Sequence, residues 1–305
     1  MTDGRTTPDF RELESLIDQV KAEWSRSDLP KSPLYHYSSV DGCIGVLCNQ
    51  SLWASSFESM NDQGELRHGL DLWTPKCKDL IVRITQVNAA QAQLLKGLSD
   101  FFDAERSNPS VRPFIASFTT EADSPSQWLA YGDRGYGGVL EVLFERISGN
   151  SILLPVLYDD SAKTALIDSA IKDIEDFISK YQAVVAPRQA KKFLELIVLA
   201  LVQIMLIHSA RMKAIGWKHE QEWRLITFVN SKAKSDPAHG GIKYRSRQSI
   251  LMDFLEVNLS RAGGKVSGIG VGPKVPTDSL HSWSLLWSAS GHAMSPIRRS
   301  KVAVG

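Results

Sequence analysis

The chain is poor in cysteine, and the three it has, Cys43, Cys48 and Cys77, show no Cys-x-x-Cys spacing. That pattern supports neither a disulfide framework nor a zinc site, and it leads us to expect reduced thiols and a cytoplasmic location. The seven histidines include no His-Glu-x-x-His or other paired-ligand spacing, so no metal is expected. Excess charge is also missing. Thirty-five Lys and Arg against 34 Asp and Glu leave a formal net charge of +1, which gives no bulk attraction to nucleic acid or membrane. A long apolar run is lacking too. The most apolar stretch, Phe193 to Ile207, is interrupted by Glu195 and Gln203. It falls short of the roughly 20 residues a membrane span needs and reads as a buried helix, so no membrane partner is expected. Met1-Thr2-Asp3-Gly4-Arg5 has no apolar core or small-residue cleavage pattern, and no signal peptide is expected. No Gly-x-Gly-x-x-Gly in a strand-to-helix setting and no Walker-type loop occurs, which excludes the two commonest phosphate-binding signatures. There is no internal repeat and no low-complexity segment.

What is present is ordinary for a globular chain: 305 residues, 43% hydrophobic and 23% charged. Asp9 to Ser25 carries Leu13, Leu16, Ile17, Val20 and Trp24 at three- and four-residue steps and reads as an amphipathic helix. A linker-like stretch ends at Pro30. We therefore divide the chain into an N-terminal helix and linker, 1–30, and a domain over 31–305 with a helical insertion at about 160–215. Within the domain, short strands are expected at Leu34–Ser38, Leu52–Ser55, Phe114–Thr119, Val139–Phe144, Ile152–Tyr158, Trp223–Phe228, Ile242–Arg245 and Val266–Val271. Helices are expected at Val40–Gln50, from Leu66 to about Asp103 with a break at Thr74-Pro75, at Ser161–Ser179, Pro187–Ile215 and Thr277–Ser290. A closing edge strand is expected within Met294–Val304. Scattered strands without a regular βαβ rhythm point to an α+β fold, with small antiparallel or mixed sheets around a cleft and helical insertions.

The chemistry is concentrated in Glu220-Gln221-Glu222-Trp223-Arg224. In an extended strand, side chains alternate, so Glu220, Glu222 and Arg224 share one face while Trp223 and Leu225 take the other. Carboxylates crowded on one face shift each other's pKa, which is how acid/base groups are made, and a neighbouring Arg holds one in place. The same pattern also describes a salt-bridged, solvated strand. Earlier, Gly132-Asp133-Arg134-Gly135-Tyr136-Gly137-Gly138 has four glycines in seven positions. It is either a tight turn or a backbone cradle for phosphate with Arg134 alongside. Asn61, Asp62 and Glu65 suit a turn and helix cap.

In order along the chain stand Leu34-Tyr35-His36-Tyr37-Ser38, Leu52-Trp53-Ala54-Ser55, Asn61-Asp62 with Glu65, Ser117-Phe118-Thr119, Trp128 and Tyr131 before the glycine turn, Glu220-x-Glu222-Trp223-Arg224, and Ile269-Gly270-Val271-Gly272-Pro273. This series resembles a large bacterial family classed as domain of unknown function 2971, over roughly residues 33–303. More remotely, the layout is similar to ADP-ribosyltransferases, with His36 on an early strand, Ser117 and Thr119 on a middle strand and Glu220-x-Glu222 entering a late one.

The second resemblance implies an NAD-consuming enzyme, with NAD as substrate and a protein or nucleic-acid acceptor, of the kind found in toxins and anti-phage defence. Cleaving the nicotinamide–ribose bond passes through an oxocarbenium-like centre that a carboxylate stabilises. Under that implication Glu222 faces the ribose, Glu220 deprotonates the acceptor and His36 bonds the adenosine ribose. Ser117 or Thr119 supports Glu222, and Tyr37, Trp53 and Tyr131 stack on the bases. Arg134 meets the pyrophosphate, and Ser38, Ser55, Asn61, Asp62, Trp128 and Arg224 complete the NAD site. Two other readings compete. One is a non-catalytic nucleotide- or partner-binding module of a defence system. The other is a nucleic-acid enzyme in which Asp62, Glu65, Glu220 and Glu222 gather a divalent ion.

Overall fold

A computed structural model describes residues 29–57, 63–85, 92–107, 111–148, 150–182, 187–230, 241–247, 250–293 and 297–303. The expected N-terminal helix, together with Asn61 and Asp62, lies outside the described residues.

Strand β1 (Leu34–Ser38) leads into helix α1 (Val40–Asn49), whose N-cap Ser39 accepts the Gly42 amide at 3.2 Å. Such a cap satisfies one of the amides a helix start leaves without a partner. The helix ends at Gln50 in the left-handed conformation, and β2 (Ser51–Ser56) begins at once. Helices α2 (Gln63–Thr85) and α3 (Ala92–Ser107) separate β2 from β3 (Val111–Thr119). A short helix α4 (Pro125–Ala130) and a 3₁₀ turn at Asp133–Gly135 precede β4 (Gly138–Phe144) and β5 (Ser151–Pro155). Helices α5 (Asp160–Gln182) and α6 (Pro187–Ser209) follow, then a 3₁₀ turn at Ile215–Glu220 and β6 (Glu222–Asn230). The chain closes with β7 (Ile242–Arg247), β8 (Ile250–Asn258), β9 (Gly264–Val271), α7 (Leu280–Ala289) and β10 (Arg298–Arg299).

The ten strands among the described residues join one open, mixed sheet in the order β10-β9-β4-β1-β3-β2-β8-β7, with β6 and β5 branching from β3. The branch follows from the register. β6 covers one edge of β3 over its whole length, from Val111↔Asn230 to Thr119↔Glu222. A strand has two edges, so β2, paired at Ser55↔Ile115, and β1, paired at Tyr35↔Thr119, share the other. β3 is thus the strand on which both halves of the sheet converge.

Alternation then sorts the side chains. The inner face carries Leu34, Leu52, Ala54, Phe114, Ala116, Phe118, Leu140, Leu225 and Leu255, and packs on α1 and α7 through Cys43, Leu47, Trp283 and Trp287. The outer face carries Ile115, Ile152, Leu154, Ile226 and Phe228 and meets Ile207 and Ala210 from the end of α6. Beyond them α2, α3, α5 and α6 form a second apolar layer around Trp73, Phe102, Ile174 and Leu201. Within α6, Lys191–Ser209 is long and apolar enough to cross a membrane by length and composition. Ile197, Leu201 and Met205 of this helix are fully buried in that layer.

The fold is mixed α and β, as expected, but three expectations need correction. The strands form one branched ten-stranded sheet rather than several small ones. The long helical segment runs unbroken through Pro75, within a helix described over Gln63–Thr85. The helical layer is drawn from two insertions, since α2 and α3 pack with the α5–α6 pair.

Candidate functional site

The site is built where α6 gives way to β6. Backbone bonds Leu157 N–H to Arg211 O (2.7 Å) and Lys213 N–H to Leu157 O (3.1 Å) pin the segment after α6 beside the exit of β5. The 3₁₀ turn then delivers Glu220, and Gln221 turns the chain with φ 44° and ψ 48° before the strand begins at Glu222. Thr119 Oγ1 donates to the Glu220 carbonyl at 2.7 Å and fixes the turn to the end of β3. Glu220 is therefore not part of the strand, and simple alternation does not bring it to Glu222; the left-handed Gln221 does.

Four charges converge on the outer face, all buried: Lys213, Glu220, Glu222 and Arg224. Arg224 grips Glu222 with two bonds, Nε to Oε1 at 2.8 Å and Nη2 to Oε2 at 3.0 Å, and its Nη1 donates to the Ala210 carbonyl at 2.9 Å. Lys213 Nζ donates to Glu222 Oε2 at 3.2 Å and to Glu220 Oε2. The other oxygen of Glu220 accepts from the Tyr131 hydroxyl at 3.1 Å, and the Glu222 amide donates to the Tyr158 hydroxyl oxygen at 2.9 Å. Two cations and two carboxylates balance. Such balance is what permits burial, because an unpaired ion in the interior costs several kcal/mol.

The environment fixes the charge of Glu222. Burial raises the pKa of Glu222, but the Arg224 charge and bonds, with Lys213 and Ser117, overcome it and hold the group at about 2. Glu222 is thus an anion at any physiological pH and is unsuited to carry a proton. Tyr158 is pushed up to about 12, chiefly by burial. Tyr131 is raised further by burial and then by the adjacent Glu220 charge. Both phenols keep their protons at neutral pH.

Glu220 is the carboxylate that shares its partners with the surface. Tyr131 is 38% exposed and Trp217 is 41% exposed. Lys213 Nζ lies 5.1 Å from the centre of the Trp217 ring. Exposed Leu129 and Ile215 flank these rings in sequence. Glu220 thus bonds one half-exposed ring and its partner Lys213 lies over another, which connects the buried carboxylate and ammonium to the surface.

The other expected site residues fall into separate places. Ser117 and Thr119 lie opposite Arg224 and Glu222 in the β3–β6 register, so they adjoin the cluster. His36 does not. It pairs with Leu140, tilts against Phe118 at 5.5 Å and faces the inner side of the sheet. Its Nδ1–H donates to the Ser117 carbonyl at 2.9 Å, and burial, only partly offset by that bond, lowers its pKa. His36 therefore cannot share a ligand with Glu222 across the same face. Ser38, two residues on, shares the inner face. Tyr37 and Trp128 pack edge to face at 4.7 Å, with Tyr37 bonded to Glu121 and Ser124 and Trp128 to Asp123, so both are framework. Trp53 lies on Phe254 at 4.7 Å, and Ser55 accepts from Arg245 at 3.0 Å, on the opposite side of β3 from β6.

Arg134 is exposed on the glycine turn with φ 54°. The turn cannot act as a phosphate cradle through its amides, since Gly135 and Gly137 donate to Gly132 O and Tyr136 donates to Asp133 O. Its glycines serve close approach instead: a Cβ on Gly137 would stand 2.1 Å from Ser38 O. Among the described residues no three His, Cys, Asp or Glu side chains are grouped to hold a metal ion. Glu220 and Glu222 already have Lys213 between them. The sequence reading missed Lys213, Tyr158 and Trp217. A single Lys, seven residues before Glu220 and in no periodic pattern, gave no signal.

No protein-family model, no curated protein and no solved structure matches the chain.

Proposed function

We propose that the chain is an NAD-consuming enzyme, an ADP-ribosyltransferase-like protein or NAD glycohydrolase, with its site over Glu220. The observation that carries the reading is the pair of bonds Glu220 makes, to buried Lys213 and to the half-exposed Tyr131, beside Trp217. In this reading the nicotinamide ring lies against Tyr131 and Trp217. The C1′–N bond breaks with its electron pair leaving on neutral nicotinamide. The ribose cation left behind is stabilised by Glu220, and the acceptor oxygen or water that closes on C1′ gives its proton to the same carboxylate. Glu222 works through Lys213 as a positioning residue. Its anion holds the ammonium, and the ammonium fixes Glu220. Such fixed charge is the larger part of what a site of this kind contributes to rate. The resemblance set out for the sequence supports the same chemistry, without His36 in it. The acceptor, protein or nucleic acid, belongs to the same proposal, as does a role as toxin or defence component.

A second reading, a nucleotide-binding module without turnover, is favoured by one specific observation: both carboxylates are engaged by Lys213. Purified protein incubated with NAD, with and without cell lysate as acceptor source, separates the two. Release of nicotinamide that falls at least about 100-fold in Glu220→Gln supports the enzyme. Saturable NAD binding with no nicotinamide over hours supports the module.

A further inference from the structure

Away from the charged cluster, the edge of the sheet formed by β2, β8 and β7 carries a surface that neither the fold nor the proposed site uses. Trp53 is 46% exposed although it sits in the middle of a strand. One side of its ring rests on buried Phe254, with centroids 4.7 Å apart. The Arg245 guanidinium lies 5.4 Å from the Trp53 ring and 5.6 Å from the Phe254 ring, and is anchored by its bond to Ser55 Oγ at 3.0 Å. The indole is thus held in place by Phe254 and by the Arg245 guanidinium over its ring. β7, the terminal strand of this half of the sheet, reads Ile242-Lys243-Tyr244-Arg245-Ser246-Arg247, with a cation at every second position. Lys243 and Arg245 share the face of Trp53, while Tyr244, paired with Asp253, points to the other face. Arg245 and Lys243, the latter bonded to Glu256 at 2.7 Å, thus stand beside one accessible ring in a chain whose net charge is only +1. An apolar partner surface would not be matched by alternating cations, and a small anion would not need the Trp53 ring.

We propose that this face binds single-stranded nucleic acid, with a base stacked on Trp53 and the backbone phosphates running along Arg245 and Lys243. Stacking on a rigid ring beside a cationic track is the chemistry by which unpaired bases are held without sequence preference. The position agrees with the rest of the molecule. Trp53, Ser55 and Ile115 share the outer face with Ser117, Glu222 and Arg224, and β3 alone separates β2 from β6. A strand bound on Trp53 lies on the same face of the sheet as the charged cluster. Duplex, with its bases stacked inside, lacks the exposed ring face that Trp53 takes.

The test is fluorescence anisotropy of a labelled oligothymidylate of about twelve nucleotides, titrated with the full chain at ~50 and ~200 mM salt. Saturable binding is expected, weaker at the higher salt, with little response to duplex of equal length. Trp53→Ala is expected to weaken it about tenfold or more, while Trp53→Phe retains most of it. Arg245→Gln keeps a donor for Ser55 and removes the charge; it is expected to reduce the salt dependence, and it reads the same claim if Trp53→Ala fails to fold. No anisotropy rise at tens of micromolar protein (~50 µM), equal affinity for duplex, or wild-type binding by both Trp53→Ala and Arg245→Gln overturns the proposal. So does a concentration-dependent dimer abolished by Leu251→Lys, at an exposed β8 residue paired with Ser246 of β7, which gives this edge to a second copy of the chain. The outcome does not depend on NAD turnover, so this proposal and the enzymatic one fail separately.

Discussion

Glu222 decides the electrostatics of the cluster. Replacing it by Gln leaves Arg224 and Lys213 buried with one carboxylate between them. The expected loss of unfolding free energy is about 3–5 kcal/mol, read from urea denaturation. The pH dependence follows with its sign. The folded pKa is depressed from 4.5 to about 2, so the stabilisation is complete above the unfolded value and is lost as the pH falls from about 4.5 toward 2. The linked change is on the order of 3 kcal/mol. Acid titration of unfolding should show this loss in the wild type and a flatter profile in Glu222→Gln. At the same scale the sequence was most informative and also most misleading. Alternation put Glu222 and Arg224 on one face, and they share it. It also put Glu220 in the strand, where it is not, because nothing in the residue types announces that Gln221 takes a left-handed conformation. His36 between two tyrosines looked like a site residue, but one strand position decides which face it serves, and its position faces the inner core.

The element that makes the site is the 3₁₀ turn and its exit. Gln221 is one of four non-glycine residues with positive φ among the described residues, and its side chain is bonded to Thr120 and to Glu121. Gln221→Gly should be tolerated, since glycine takes this conformation freely. Gln221→Val should cost about 1–2 kcal/mol more than glycine in thermal or urea unfolding, because a β-branched residue is strained there, while both variants lose the two side-chain bonds. A result in which valine is as stable as glycine would remove the turn from the account. The glycine turn before β4 makes a second case. Gly137→Ala places a Cβ against Ser38 O and the Gly132 backbone, 2.1 and 2.9 Å away. A marked loss of stability is expected, with thermal unfolding as the check. Four glycines in seven residues looked equally suited to phosphate. Only the hydrogen-bond partners of the amides distinguish a packed turn from a cradle, and those partners come from the folded loop itself.

For the molecule as a whole, the sheet is organised by β3, which accepts β6 on one edge and both β1 and β2 on the other. The sequence indicated strands at each of these places, and hydrophobic periodicity was sufficient for that. It did not indicate that they join one sheet, because strand pairing is set by non-local register rather than by local pattern. The fold brings residues from four separate stretches together: Ser117 and Thr119, then Tyr131, then Tyr158, then Lys213 to Arg224. Burial of Lys213 could not be foreseen, since a lysine is rarely placed inside unless partnered, and its partners become neighbours only through the turn.

The most direct test of the central proposal is nicotinamide release from NAD by wild type, Glu220→Gln and Glu222→Gln, measured alongside urea unfolding of each. The account predicts release by the wild type. It predicts near-complete loss of release in Glu220→Gln from a protein that is still folded, with a lowered unfolding midpoint because buried Lys213 keeps only Glu222, and a combined loss of release and stability in Glu222→Gln. Release by Glu220→Gln at the wild-type rate, or none from the wild type with any acceptor source, would contradict it.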